Sequence, residues 1–219
     1  MELRREEPQD DLLTDLLNAS IDKDADEGID STALEIAEML SMIQQLLVAG
    51  NQTTTHLLGE MLLLLDEHPE EWSRLASDPA YGKDVADEAL RLAAPTQGMF
   101  RVVTEETQIG STVLPAGSRV VLLYAAANRD PDMWRNPDDF EPGREGLAKH
   151  LGFGKGPHYC VGAGLARLEA RVVAEELSKR LATISVTNRS EIRYIPSFVL
   201  RGPEQIQVVV TAKKVVPDG

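Results

Sequence analysis

The sequence predicts a mainly α fold with small β-sheets, and three observations predict it. Helical patterning runs from Thr32 to Glu67 with no proline to interrupt it. A second apolar stripe at three- and four-residue spacing follows residue 160. Between the two, and again beyond residue 184, the apolar period shortens to that of strands. With 219 residues, 42% hydrophobic and 5% aromatic, the chain is long and apolar enough for a soluble globular protein of one or two domains. The opening MELRREEPQDD is charged from its second residue, and no apolar run approaches the ~20 residues that span a bilayer, so a cytoplasmic protein is expected. A net charge of −14 argues against nucleic acid and anionic membrane as partners.

Each element has a local reason. Leu12, Leu13, Leu16 and Leu17 recur at i, i+1, i+4 and i+5, which predicts a short amphipathic helix over 9–19, followed by a solvated acidic loop, DKDADEGID. Thr32-Ala-Leu-Glu35 has the spacing of a capping box and starts a helix over 32–67, roughly 50 Å long at 1.5 Å per residue. Ala49-Gly50 is a soft spot within it, and the hydroxyls of Thr53 to Thr55 are able to bond backbone carbonyls, so the helix is expected to open there. Pro69 fits the first turn of a helix over 69–78, and KDVADEALRLAA predicts another over 83–94. Residues 97–123 read as a small sheet with a type I turn at Pro115 to Gly117. A proline-rich loop then leads into a cysteine loop over 151–160. Leu165, Leu168, Val172, Leu177 and Leu181 mark a helix over 161–182, and ATISV, EIRYI and QIQVVV read as strands within 184–212.

Cys160 is the only cysteine, and GFGKGPHYCVGAG around it holds five of the sixteen glycines. A lone cysteine packs as a small hydrophobe in many proteins. A phosphate-cradling loop fails on spacing, since GxGxxG needs glycine at Tyr159 and no GxxxxGK[ST] occurs. The loop-to-helix junction suits a thiolate, which unpaired N–H groups and the helix dipole favour. A thiolate ligates metal; zinc wants three or four Cys or His ligands, and only His150 and His158 are near. Haem iron asks for a single thiolate, and glycines then let backbone approach a flat macrocycle and adopt positive φ.

Residues 153–160, FGKGPHYC, resemble the Phe-Gly-x-Gly-x-His-x-Cys signature of the cytochrome P-450 family, the haem-thiolate monooxygenases, and VGAGLAR continues the likeness. AGNQTTT at 49–55, Glu88-Ala-Leu-Arg91 and Phe140-Glu-Pro-Gly-Arg144 resemble three further family motifs in the family's order. The resemblance covers nearly all of residues 1–219 and corresponds to the C-terminal half of the family fold, a partial domain. It implies haem b held by Cys160 as axial thiolate ligand, with Phe153 beside the sulfur. Gly154, Gly162, Ala163 and Gly50 complete the cofactor-lining set, and His158 and Arg101 stand at positions that bind propionates. It further implies that Thr53 holds oxygen and water for protonation. Gln52 stands where the family commonly has Asp or Glu, and an amide bonds water without supplying a proton. Glu88, Arg91 and Arg144 resemble a buried structural network.

The implied activity is insertion of one oxygen atom from O2 into a small apolar organic substrate, with two electrons from a ferredoxin- or flavoprotein-type donor. Five cations against two anions over 144–171 make a local +3 suited to steering an acidic donor, or else a solvated face of mixed charge. Leu47, Thr96 to Met99 and Phe198 are the apolar positions toward substrate. The alternative function is a truncated haem-binding or interaction module without turnover.

Overall fold

The computed structural model describes residues 2–21 and 32–214. The acidic stretch 22–30 lies outside the described residues. The chain divides into two compact units, Met1–Asn51 and Gln52–Gly219.

In the first unit the helix expected over 9–19 is the shorter α2 (Leu12–Asn18), and a separate α1 (Glu2–Glu6) precedes it. Asp11 sets the start of α2 by accepting the Thr14 N–H at 2.9 Å, an N-cap three residues later than the leucine pattern suggested. Strands β1 (Ser20–Ile21) and β2 (Thr32–Ala33) pair antiparallel. Thr32 is therefore in a strand, outside the helix it was expected to start. The long helix α3 (Ile36–Glu67) starts four residues later than expected, where the Glu38 carboxylate accepts the Glu35 N–H at 2.8 Å, one arm of a capping box shifted by three residues. Helix α3 is unbroken through Ala49 and Gly50, so the expected opening is absent. A single glycine costs a helix only about 1 kcal/mol against alanine, too little to break one flanked by good formers.

The second unit packs the later turns of α3 with α4 (Pro69–Ser77), α5 (Gly82–Ala93) and α7 (Ala163–Arg180). Met61, Leu75, Val85, Ala89 and Ala170 are fully buried at the centre. Small residues bring α5 onto α7, since a Cβ at Gly82 would lie 3.1 Å from Glu175 Cγ and 3.3 Å from the Arg171 carbonyl. Asp78 stops α4 by capping the next turn, and Ala94, at φ 39°, ends α5 one residue short of the expected limit. Helix α7 is shorter than 161–182, because Val161 and Gly162 form a turn and Leu181 already belongs to a strand.

The sheet expected over 97–123 is two separate ladders. Strand β3 (Met99–Val102) pairs with β6 (Arg119–Leu122), and β4 (Thr107–Ile109) pairs with β5 (Thr112–Leu114). The turn at Pro115–Ser118 is type II rather than type I, since Gly117 takes φ 85° at its third position while Ser118 N–H donates to the Pro115 carbonyl at 3.1 Å. A short helix, α6 (Tyr124–Ala127), follows. At the C-terminal side β7 (Leu181–Val186) pairs with β8 (Val208–Ala212), while EIRYI forms no strand; only an isolated bridge joins Tyr194 to Pro203. Among the described residues, no helix is long and apolar enough to cross a membrane.

The segment carrying that bridge closes on α3. A Cβ at Gly202 would sit 2.0 Å from His56 Nδ1 and 2.5 Å from His56 Cβ. Overpacking of a buried contact costs about 1–3 kcal/mol, so Gly202→Ala should lower the unfolding free energy by that amount, read as a lower urea midpoint. His56→Ala removes the imidazole but leaves its own Cβ 2.5 Å away, so the double variant should recover only part of the loss, a coupling that equilibrium unfolding reads directly.

Candidate functional site

The cysteine loop is built by backbone hydrogen bonds. Gly154 and Gly156 take φ 68° and 75°, the left-handed region that glycine enters without strain. Gly154 N–H donates to the Leu151 carbonyl at 2.9 Å, and Tyr159 N–H donates to Gly156 at 2.9 Å. The ring closes where Cys160 N–H donates to the Phe153 carbonyl at 3.0 Å, and Ala163 N–H at the start of α7 donates to the Cys160 carbonyl at 3.2 Å. Both backbone groups of Cys160 are thus held while its thiol is exposed. The positive φ expected of the glycines is confined to the loop side, for Gly162 takes φ −85°.

The surface around the sulfur is bare. Val161 is 94% exposed, a Cβ at Gly164 would meet nothing within 4 Å, and one at Gly162 would meet only Cys160 Sγ at 3.9 Å. An exposed thiol on a side-chain-free ledge is what a flat macrocycle with one axial thiolate requires, so the residues present fit haem.

The loop and the first turn of α7 bring together Cys160, Phe153, Gly154, Gly162 and Ala163. His158 is in the same loop, exposed. Arg101 lies half-buried on β3 and donates to the Phe100 carbonyl at 2.8 Å, in its own strand. Gln52 is exposed and Thr53 half-buried on α3; Gly50 and Leu47 belong to the first unit. The apolar positions of 96–99 and Phe198 are joined in space, because Gln97 N–H donates to the Val199 carbonyl at 2.8 Å and the exposed rings of Phe100 and Phe198 stack at 6.0 Å.

Behind the loop stands the buried ion network. Glu88 and Arg91 are fully buried and share two bonds of 2.8 Å, while Arg144 Nε reaches Glu88 at 2.9 Å. The two guanidinium groups donate onward to carbonyls of Asn128, Pro137, Asp139 and Arg135, tying down the proline-rich loop. Asn128 extends this support to the cysteine loop: its side chain accepts Leu151 N–H at 2.7 Å and donates to the Arg91 carbonyl at 3.1 Å. No sequence motif marks Asn128.

A second cluster, also unmarked, gathers around Arg167. Its guanidinium bonds Asp87 at 2.8 Å and Tyr159 Oη at 3.1 Å, and lies 4.5 Å from the centre of the Phe153 ring. The local +3 patch is smaller than the sequence suggested, since Arg144 is buried against Glu88, Arg167 is paired with Asp87, and Arg171 with Glu175 at 3.3 Å. Lys149 and Lys155 remain exposed there.

His150 is buried beside Arg167, and its Nδ1 accepts Gly152 N–H at 3.1 Å. Burial, reinforced by the Arg167 charge and opposed by Asp87, pushes its pKa down to about 4. The unfolded chain binds this proton near pH 6.5 and the native chain only near 4, so stability is full above 6.5 and falls as pH drops toward 4. The loss should approach about 2–3 kcal/mol across that window, and His150→Gln should remove this part of the slope in urea titrations at pH 7 and pH 5.

The sequence profile described as Cytochrome P450 matches residues 1–210. The chain is 39% identical over 199 residues to erythromycin C-12 hydroxylase of Saccharopolyspora erythraea, covering 90% of this chain and 48% of that one. It is 34% identical over 212 residues to linalool 8-monooxygenase of Pseudomonas putida, covering 97% and 50%. Among solved structures, cytochrome P450 CYP109Q5 from Chondromyces apiculatus superposes with a TM-score of 0.87 at 38% identity, over 98% of this chain and 53% of that one. P450BioI, in complex with a hexadecenoic acid-ligated acyl carrier protein, gives 0.86 at 34% identity, over 95% and 51%.

An exposed thiol on a glycine ledge, backed by a buried Glu-Arg-Arg network in a mainly α fold with small sheets, defines a haem-thiolate class of protein. The chain belongs to the cytochrome P450 family, whose members bind haem b with a cysteine thiolate as axial ligand. It spans about half the length of the relatives it matches.

Proposed function

We propose that this chain is the haem-holding part of a cytochrome P450 monooxygenase, which inserts one oxygen atom from O2 into a small apolar organic substrate. The observation that carries the reading is the exposed Cys160 thiol, fixed through its backbone to Phe153 and Ala163 beside the open glycines Gly162 and Gly164. Cys160 would ligate iron, with Phe153, Gly154, Gly162 and Ala163 lining the macrocycle. His158 and Arg101 pair with its propionates by charge-assisted hydrogen bonds. When bound, haem supplies a redox-active iron whose thiolate donor favours O–O cleavage.

The chain's own groups position and move protons. The Thr53 hydroxyl donates and accepts, so it holds a water and passes its proton on; the Gln52 amide orients that water without giving up a proton of its own. The relatives named as a hydroxylase of erythromycin and a monooxygenase of linalool support an organic substrate, as does the exposed Phe100–Phe198 pair. Lys149 and Lys155 face solvent close to the loop in sequence and suit the acidic surface of a ferredoxin- or flavoprotein-type donor. A cytoplasmic site of action is consistent with a cysteine that must stay reduced to act as thiolate.

The test is the ferrous carbon monoxide spectrum of the haem-loaded chain. Thiolate ligation gives a strongly red-shifted Soret band; a band where imidazole ligation places it, or no uptake of haem, overturns the reading. Oxygen insertion itself is read as label from 18O2 appearing in product when donor and the remainder of a P450 fold are supplied.

A further inference from the structure

Two polar residues of α3 are buried where apolar side chains would serve the packing as well. His56 and Glu60, one helical turn apart, are 7% and 9% exposed within a leucine-rich stretch. His56 Nδ1 and Nε2 and Glu60 Oε1 are buried, and among the described residues none of the three has a hydrogen-bond partner. A buried polar atom left unpaired is destabilising, a cost that leucine at either position would not carry. Their helical spacing places Gln52, His56 and Glu60 in line on one face, with Thr53 three residues before His56.

We propose that His56 and Glu60 form a proton relay along α3 that supplies the Gln52–Thr53 turn from the protein interior. The proposal rests on the monooxygenase reading, which gives the proton a consumer. In each passage the Glu60 carboxyl gives a proton to one imidazole nitrogen of His56, directly or through a bridging water. The other nitrogen releases one toward the Thr53 hydroxyl and the water it holds, and Glu60 is reprotonated from solvent. No electron moves; Glu60 ends as it began, and the imidazole ends as its other tautomer, which transfer of a proton between its two nitrogens through water resets before the next passage. Gln52, which has no acidic proton, stays an orienting group.

The surroundings suit such a relay. Burial lowers the proton affinity of His56 and raises that of Glu60, which narrows the gap that exchange of a proton between them must cross. Arg201 and Arg129 and a hydrogen bond from Tyr194 favour the ionised carboxylate, while Glu67 disfavours it. Tyr194 leads outward, with the exposed Arg201 guanidinium 3.8 Å from its ring centre, which gives the carboxyl a polar path to solvent. Gly202 lies against the imidazole with no space for a side chain between them.

The pair is read first without haem. In 15N-histidine NMR of the chain, with the His56 signal assigned by its loss in His56→Gln, Glu60→Gln should lower the His56 midpoint by about one pH unit and leave His68 unmoved. An unchanged midpoint overturns the pairing. Delivery is read next in the haem-loaded protein completed to a full P450 fold. Glu60→Gln and His56→Gln should each slow oxygen-dependent product formation about tenfold or more, enlarge its H2O/D2O ratio and change its pH profile, with the carbon monoxide band intact. A normal band with unaltered isotope ratio and pH profile overturns the relay, whereas a wild-type chain with no thiolate band overturns the monooxygenase reading instead. Both replacements keep side-chain volume, and Glu60→Gln removes a buried acid, so the folded chain should persist in each test.

Discussion

Glu88→Ala is expected to cost about 3–5 kcal/mol, enough to unfold much of the second unit at room temperature. The carboxylate at position 88 is fully buried and is the shared anion of two buried guanidinium groups, with Oε1 also accepting the Glu141 N–H at 3.1 Å. Removing it leaves Arg91 and Arg144 side by side as like charges out of water, which the retained carbonyl acceptors only partly offset. Arg91 still reaches Asn128 at 2.6 Å and Pro137 at 2.7 Å, so the residues at greatest risk are those of the proline-rich loop that these two arginines tie together. A second variant separates charge from shape: Glu88→Gln keeps the volume and one acceptor, and should cost less than alanine but more than any surface Glu→Gln change. Urea midpoints measure both, with amide exchange of Leu151 reporting whether the cysteine loop loosens as the network fails. A loss below 1 kcal/mol for Glu88→Ala would mean that water reaches the two guanidinium groups and that the network is not a buried one.

The parts of this architecture visible in the sequence are those set by near neighbours. The stripe of α7, the proline that opens α4, and the glycines that permit the cysteine loop all act within a turn or two of themselves. Even there, local rules misplaced boundaries: Thr32 looked like a cap because its spacing to Glu35 is right, yet Thr32 is held in a strand pair and the capping falls to Glu35 and Glu38. What stayed hidden depends on distant partners. An i, i+3 pair such as Glu88 and Arg91 is commonplace on helix surfaces, and its network with Arg144, 56 residues away, was legible only through the family resemblance and not from local pattern. Asn128 supports the loop through carbonyl and N–H groups that carry no residue identity. Arg167 counted as one positive charge among five until Asp87, 80 residues earlier, was placed against it. His56 and Glu60 could have drawn notice as two polar residues in a leucine run, but no period or motif says that both face inward.

Cys160→Ser should abolish the red-shifted carbon monoxide band altogether while leaving the fold in place. The separation is possible because every structural tie of this residue is made by its backbone: the N–H to Phe153 at 3.0 Å and the carbonyl from Ala163 at 3.2 Å, both of which serine keeps. The side chain is exposed, so exchanging sulfur for oxygen creates no cavity and strands no buried group. Chemically the exchange is large. A hydroxyl ionises far less readily than a thiol and is a harder, poorer donor to iron, so the electron density that a thiolate gives is withdrawn. The serine chain should therefore keep the wild-type urea midpoint and far-ultraviolet circular dichroism, and either bind haem with an unshifted band or fail to retain it. A red-shifted band that survives the replacement would place the iron ligand elsewhere in the protein. Because the folded state is measured separately in the same variant, loss of the band then belongs to the sulfur and not to collapse of the loop that presents it.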